Sequence, residues 1–318
     1  MIETETKTKN WYSETVFLSK TSKLDNNTGL LQRLLFKIAR RWVSGNTYKN
    51  ALSTAKDCNS KGILAILNYL GEDTTNAIII ENTVREYFSL LSLLESSRID
   101  GCISVKPTQL GLRIAYDESL YNFRQIARKT KSLDRFMWID IESIQFVEDT
   151  ISIYLELLRD YKYTTGVAIQ SYLKRSSSDL LHLMEQGASV RLVKGAYSED
   201  KRIAFQSIEK INSNFSKLMK MLFEYSNTND NIFAIATHDP KLIDEAIVLS
   251  KEYDIDNRKF EFQFLMGIQG EMKENLVKRG FRVSEYIPYG NQWLPYSMRR
   301  IRERKRNILL LARSLLQS

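Results

Sequence analysis

The chain has 318 residues, 43% of them hydrophobic, enough for one large domain or two ordinary ones with a substantial core. Its 46 Lys and Arg stand against 38 Asp and Glu, so the net charge of +8 leaves both signs abundant and does not point to nucleic acid. Two cysteines and two histidines are too few for a disulfide scaffold or a multi-histidine metal site, and no run of about eighteen apolar residues exists to span a bilayer.

In chain order, the opening MIETETKTKNWYSET is acidic and polar where a signal or transit peptide would be apolar or basic. A cytoplasmic protein is expected, and Cys58 and Cys102 fit a reducing compartment. Residues before about 56, including the apolar face of 30–43, are expected to form helices ahead of the main fold. Short apolar, β-branched runs then recur at 63–69, 101–105, 136–141, 166–170, 189–193, 232–236, 259–265 and 281–287, eight candidate strands. The stretches 119–131, 147–158, 179–186, 204–226 and 240–252 carry apolar residues at three and four spacing and read as helices. Such alternation predicts an α/β fold, a (β/α)8 TIM-like barrel with extra N-terminal helices and a C-terminal helix. An open doubly wound sheet is the alternative, but no G-x-G-x-x-G follows the first strand. With no linker or low-complexity stretch, 1–318 is expected to be one domain, about 1–55 helical and about 56–318 barrel.

Active sites of such barrels lie at the carboxyl ends of the strands, and polar residues collect there. Lys106 closes the second run, and Asp140 lies inside the third, FMWIDIE. Gln170 and Tyr172 close or follow the fourth, Arg191 and Lys194 interrupt or close the fifth, and Thr237 with His238 end the sixth. A buried charge without a partner is costly, so these groups must face one another, a ligand or water. One polar pocket shared by five strands is the economical account. Singly, each has a plain structural explanation: Asp140 as an ion-pair partner of Lys106 or Arg191, His238 as a cap or surface residue, Gly195 as a tight turn.

Three later phrases add chemistry: RLVKGAY (191–197), EFQFLMG (261–267) and YIPYGNQWLPYSMRRIRER (286–304). The last places Arg299 and Arg300 side by side on a helical stretch with Tyr286, Tyr289 and Tyr296 close by. Guanidinium forks beside aromatic walls suit a small carboxylate, although such tyrosines also serve simply as packing. The wording and order of the phrases resemble the proline dehydrogenase family, flavoenzymes that oxidise L-proline, over roughly 62–310. Y-I-P-Y-G, then W, then Y-S-M-R-R, then E-R in register is its most specific part. One departure is Pro107 after Lys106, where a branched apolar residue is usual; it removes a backbone donor beside that lysine.

The resemblance implies FAD as cofactor and a role for each matched position. Lys106, Arg299 and Arg300 match the residues that bind the substrate carboxylate. Tyr197, Leu265, Tyr286 and Tyr296 match those enclosing the ring, and Glu303 an acidic residue one turn after the arginine pair. Asp140 and Arg191 match catalytic positions, the arginine near the reactive flavin nitrogen. Gln170, Lys194, Gly195, Ala196, Thr237 and His238 match FAD contacts, with Ile141 beside the isoalloxazine. The implied reaction, the first step of proline catabolism, moves a hydride from the carbon beside the proline nitrogen to the flavin and yields Δ1-pyrroline-5-carboxylate. The protein contributes orientation and charge. The implied partners are L-proline, a membrane quinone and the inner membrane surface, to which the basic surplus could be drawn. A separate pyrroline-5-carboxylate dehydrogenase is expected, since the barrel uses the whole length. Two other readings stand beside this one: a Schiff-base aldolase using Lys106 or Lys194, and a basic binding module without catalysis.

Overall fold

Eight apolar runs become eight strands because a parallel strand in a barrel is buried on both faces, by the interior and by a covering helix. They are β1 (Leu64–Tyr69), β2 (Gly101–Val105), β3 (Met137–Ile139), β4 (Thr165–Gln170), β5 (Val190–Val193), β6 (Phe233–Ala236), β7 (Phe260–Leu265) and β8 (Arg282–Tyr289). Each pairs in parallel with its sequence neighbours, and β1 closes the barrel by pairing with both β2 and β8, Ile66 lying opposite Cys102 and Tyr286. Helix α1 (Tyr48–Asn59) precedes β1. The strands are followed in turn by α2 (Ala77–Ser96), α3 (Tyr116–Ser132), α4 (Val147–Tyr161), α5 (Ser176–Glu185), α6 (Ile208–Ser226), α7 (Pro240–Glu252), α8 (Gly270–Lys278) and α9 (Trp293–Glu303). The computed structural model describes residues 39–226 and 232–303, with side chains to 300, and the barrel belongs to a compact unit that begins at Arg40. Most of the expected 30–43 helix lies outside the described residues. Among those described, no helix is long and apolar enough to cross a membrane.

The expected (β/α)8 alternation is the observed one, with local differences. Helix α2 buries Ile80, Val84, Tyr87, Leu91 and Leu94 on one stripe. Ile78 and Ile79, 69% and 43% exposed beside the Asn76 cap, blur that stripe in the sequence. Helix α6 begins at Ile208 rather than 204, because Ala204 instead bridges to Leu173. Strand β3 stops at Ile139, so Asp140 is the first residue beyond it, its N–H donating to the Val105 carbonyl at 2.9 Å.

Three glycine or alanine positions shape the barrel interior. Trp138 fills it beside Ile66 and Ala234, and a Cβ on Gly166 would lie 2.5 Å from the indole. Arg191 pairs in register with Ala168 on β4 and Ala234 on β6. Residues in register share a face, so these small side chains leave room for an inward guanidinium.

Candidate active site

The carboxyl ends of the strands open into a cleft of about 1290 Å³. At its centre Asp140 receives four side chains from three other strands. Lys106 Nζ lies 2.5 Å and the Tyr286 hydroxyl 2.6 Å from Oδ2; Ser104 Oγ lies 2.7 Å and Arg191 Nη1 2.8 Å from Oδ1. The Arg191 guanidinium also stacks on Trp138, 4.7 Å from the ring centroid, and lies 5.8 Å from that of Tyr286. Burial alone would raise the Asp140 pKa, but Lys106 and Arg191 outweigh it and hold the carboxyl at about 2. Burial would likewise lower the Lys106 pKa, yet the Asp140 carboxylate, with Tyr197 and Glu142 behind it, keeps it above the ordinary lysine value. A Schiff-base lysine must be neutral to attack a carbonyl. Lys106 is held charged and so is not prepared for aldolase chemistry, while Lys194 pairs with Asp239 at 3.0 Å.

Pro107 fits here without loss. It takes the first position of the 3-10 turn Pro107–Leu110, where no N–H is needed, and Lys106 before it is extended at φ −100°, ψ 133°. The proline thus stiffens the turn behind the lysine.

Helix α9 brings the two arginines to the same cleft. Arg299 lies 5.5 Å from the Tyr197 ring centroid and 5.9 Å from that of Tyr296, and Arg300 lies 5.3 Å from Tyr296. Arg299 is also paired with Glu72 at 2.5 Å. Sequence reasoning missed Glu72; its only signal is a carboxylate just past β1, among strand-end residues that elsewhere form the site. Tyr289 was expected beside the arginines and is not there. It is buried against Tyr69 and donates its hydroxyl to Glu86 at 2.7 Å, because three residues from Tyr286 along a strand means the opposite face.

The same cleft is lined by Ile141, Gln170, Arg191, Lys194, Gly195, Ala196, Thr237, His238 and Leu265. His238 is partly exposed at the cleft, and its Nε2 accepts the Leu265 N–H at 2.9 Å, tying the ends of β6 and β7. Asp239 caps α7 through Lys241 N–H and also holds Lys194 and Asn212. Gly195 has φ +108°, and a Cβ there would enter the Tyr172 ring at 2.2 Å, so only glycine allows that close approach. Apart from Tyr289, every expected site residue whose side chain is described lines this one cleft. Glu303 lies on α9, its side chain outside the described residues.

A closed parallel barrel with a buried charge cluster and an open cleft at its strand ends defines a barrel enzyme. The profile of the proline dehydrogenase family matches residues 51–311. Proline dehydrogenase 1 of Bacillus subtilis subsp. natto is 33% identical over 279 residues, 88% of this chain and 91% of that protein. Proline dehydrogenase 2 of Bacillus subtilis (strain 168) is 31% identical over 302 residues, 92% and 94% of the two chains. Among solved structures, proline utilization A from Bdellovibrio bacteriovorus, inactivated by N-propargylglycine, matches with a TM-score of 0.79 at 24% identity. That match covers 86% of this chain but 33% of the longer one, and it bears on the fold alone. The chain belongs to the proline dehydrogenase family and is an oxidoreductase of proline catabolism.

Proposed function

We propose that this cleft oxidises L-proline to Δ1-pyrroline-5-carboxylate with FAD as cofactor. The observation that carries the reading is one cleft that holds a buried cation cluster and, on Arg191 and Gln170 in its lining, buried polar atoms without partners in the protein. Arg191 is 3% exposed, yet its Nε and Nη2 have no hydrogen-bond partner within the protein, and neither has Gln170 Oε1. Buried polar atoms left so are expensive, and a flavin ring offers both acceptors and an N–H donor to meet them. Ile141, Gln170, Arg191, Lys194, Gly195, Ala196, Thr237 and His238 would hold it. Bound FAD would supply the acceptor for the hydride leaving the carbon beside the proline nitrogen. The protein's own residues orient the substrate: Lys106, Arg299 and Arg300 clamp the carboxylate, with Glu303 one turn beyond the pair. Tyr197, Leu265, Tyr286 and Tyr296 wall the ring. Asp140 holds Lys106 and Arg191 in place.

The same reading takes 1–318 as one functional unit on the cytoplasmic side, passing electrons to a membrane quinone through peripheral contact. The net charge of +8 supports attraction to an anionic surface. A separate dehydrogenase would consume the product. Purified protein is expected to be yellow, absorbing near ~450 nm as oxidised flavins do, and to bleach anaerobically on adding proline. A colourless protein would sink the proposal, and a borohydride-trapped carbonyl adduct on Lys106 or Lys194 would replace it with the aldolase.

Arg191 provides a sharper test. Replacing it with Met removes a buried cation beside the flavin and should lower the midpoint potential. A lost charge-assisted interaction of about 1.5–3 kcal/mol corresponds to roughly 30–65 mV for a two-electron couple. Redox titration measures it. An unchanged potential with affinity for a ring carboxylate abolished would move Arg191 from the cofactor to the substrate.

A further inference from the structure

Glu142 stands two residues after Asp140 but outside the cleft lining, and it is 3% exposed. Its carboxyl accepts the Thr108 N–H at 2.9 Å on Oε2 and the Thr108 hydroxyl at 2.8 Å on Oε1. The Thr108 oxygen in turn accepts the Asp73 N–H at 2.9 Å. Thr108 is wholly buried and lies two residues after Lys106, while Asp73 directly follows Glu72, the partner of Arg299 at 2.5 Å. One carboxyl therefore touches, through a single threonine, both the turn that carries Lys106 and the loop that carries the Arg299 partner. The two cations arrive from elements far apart in sequence, and this relay is a physical link between their supports.

We propose that Glu142 is a positioning residue for the substrate clamp: through Thr108 it fixes the mutual placement of Lys106 and Arg299, and its own charge tunes their hold on a carboxylate. This rests on the reading of the cleft as a proline site. The charged or titratable groups around Glu142 are Lys106 from the end of β2, Glu72 from the loop after β1 and Tyr197 from the loop after β5. On its own segment are Asp140 and the Ile144 N–H that binds Glu199 at 2.8 Å. Burial pushes the Glu142 carboxyl up to about 7, against Lys106 and the two Thr108 bonds, with Glu72 adding to the rise. Both its forms are accessible near neutrality. Ionised, it adds negative potential behind the clamp and opposes the incoming anion; protonated, it does not.

The test is calorimetric titration of the FAD-loaded enzyme with tetrahydrofuroic acid, a ring carboxylate with no amine to titrate. In the wild type, Kd should rise roughly threefold to tenfold between about pH 6 and 8.5, the effect of one unit charge acting across a partly screened interior. Glu142→Gln should flatten that rise. Thr108→Val tests the relay without touching the carboxyl: it should weaken binding roughly threefold to tenfold at every pH, the scale of a lost hydrogen bond, and Thr108→Ser should restore it. A role confined to stability would leave both the pH profile and the affinity unmoved. A pH profile in Glu142→Gln equal to that of the wild type, or wild-type affinity in Thr108→Val, overturns the inference. Failure of the wild type to bind the probe at all would instead remove the site reading, and the inference with it.

Discussion

On the proposed reading of the cleft, Arg299→Met or Arg300→Met is expected to raise the KM for proline on the order of tenfold to a thousandfold, the loss of one or two charge-assisted hydrogen bonds, while the proposed FAD should stay bound. Methionine keeps most of the apolar stem that packs among Tyr197 and Tyr296, so the substitution removes the guanidinium with little change in volume. Asp140 takes its hydrogen bonds from Ser104, Lys106, Arg191 and Tyr286, so the buried centre that holds Arg191 should survive. The two variants should also differ. Arg299 is paired with Glu72, and its loss leaves that carboxylate without this partner beside the incoming substrate anion. Arg299→Met should therefore be the more damaging, and Glu72→Gln in the same chain should recover part of the loss. Steady-state kinetics decides: if each single variant kept the parent KM, the carboxylate would have to bind elsewhere.

Asp140→Ala should destabilise the folded protein by about 3–5 kcal/mol, since it strands two buried cations, Lys106 and Arg191, that now share one carboxylate. Asp140→Asn should be milder, because an amide still accepts from one of them. The effect carries a pH signature whose sign follows from the depressed pKa, about 2 in the fold against 3.8 for an ordinary aspartate. The unfolded chain binds the proton more readily, so the contribution is whole above roughly pH 4 and is lost as pH falls towards 2. Urea unfolding of the wild type and Asp140→Ala at pH 7 and near pH 3 measures it. Curves separated by the same free energy at both pH values would show that the ion cluster is not what Asp140 contributes.

Several features of this molecule were legible before any fold was drawn, and for a local reason. A strand buried on both faces needs four to six apolar, β-branched residues in a row, and a covering helix needs a stripe at three and four spacing; both fit inside one short window of chain. The runs at 101–105 and 240–252 therefore coincide with β2 and α7 to the residue. The phrases around Arg191 and Arg299 were legible as family wording too, and the structure brings both arginines to one cleft. Alternation along β8 even contained the fate of Tyr289, which differs from Tyr286 by an odd number of positions and so had to face the helices.

Only the tertiary structure decided which of these groups meet. Glu72 and Arg299 are separated by 227 residues, Lys106 and Tyr286 by 180, and Asp140 and Arg191 by 51. No periodicity links such pairs; they come together because β1 closes onto β8 and brings both ends of the chain's barrel to one mouth. The Thr108 relay is of the same kind, since Glu142 acquires its meaning from a turn 34 residues away. Sequence by itself specified elements and the chemical inventory, because backbone and side-chain preferences act over a few residues. Barrel closure assigned the partners, because hydrogen bonds and ion pairs act over a few ångströms whatever the distance along the chain.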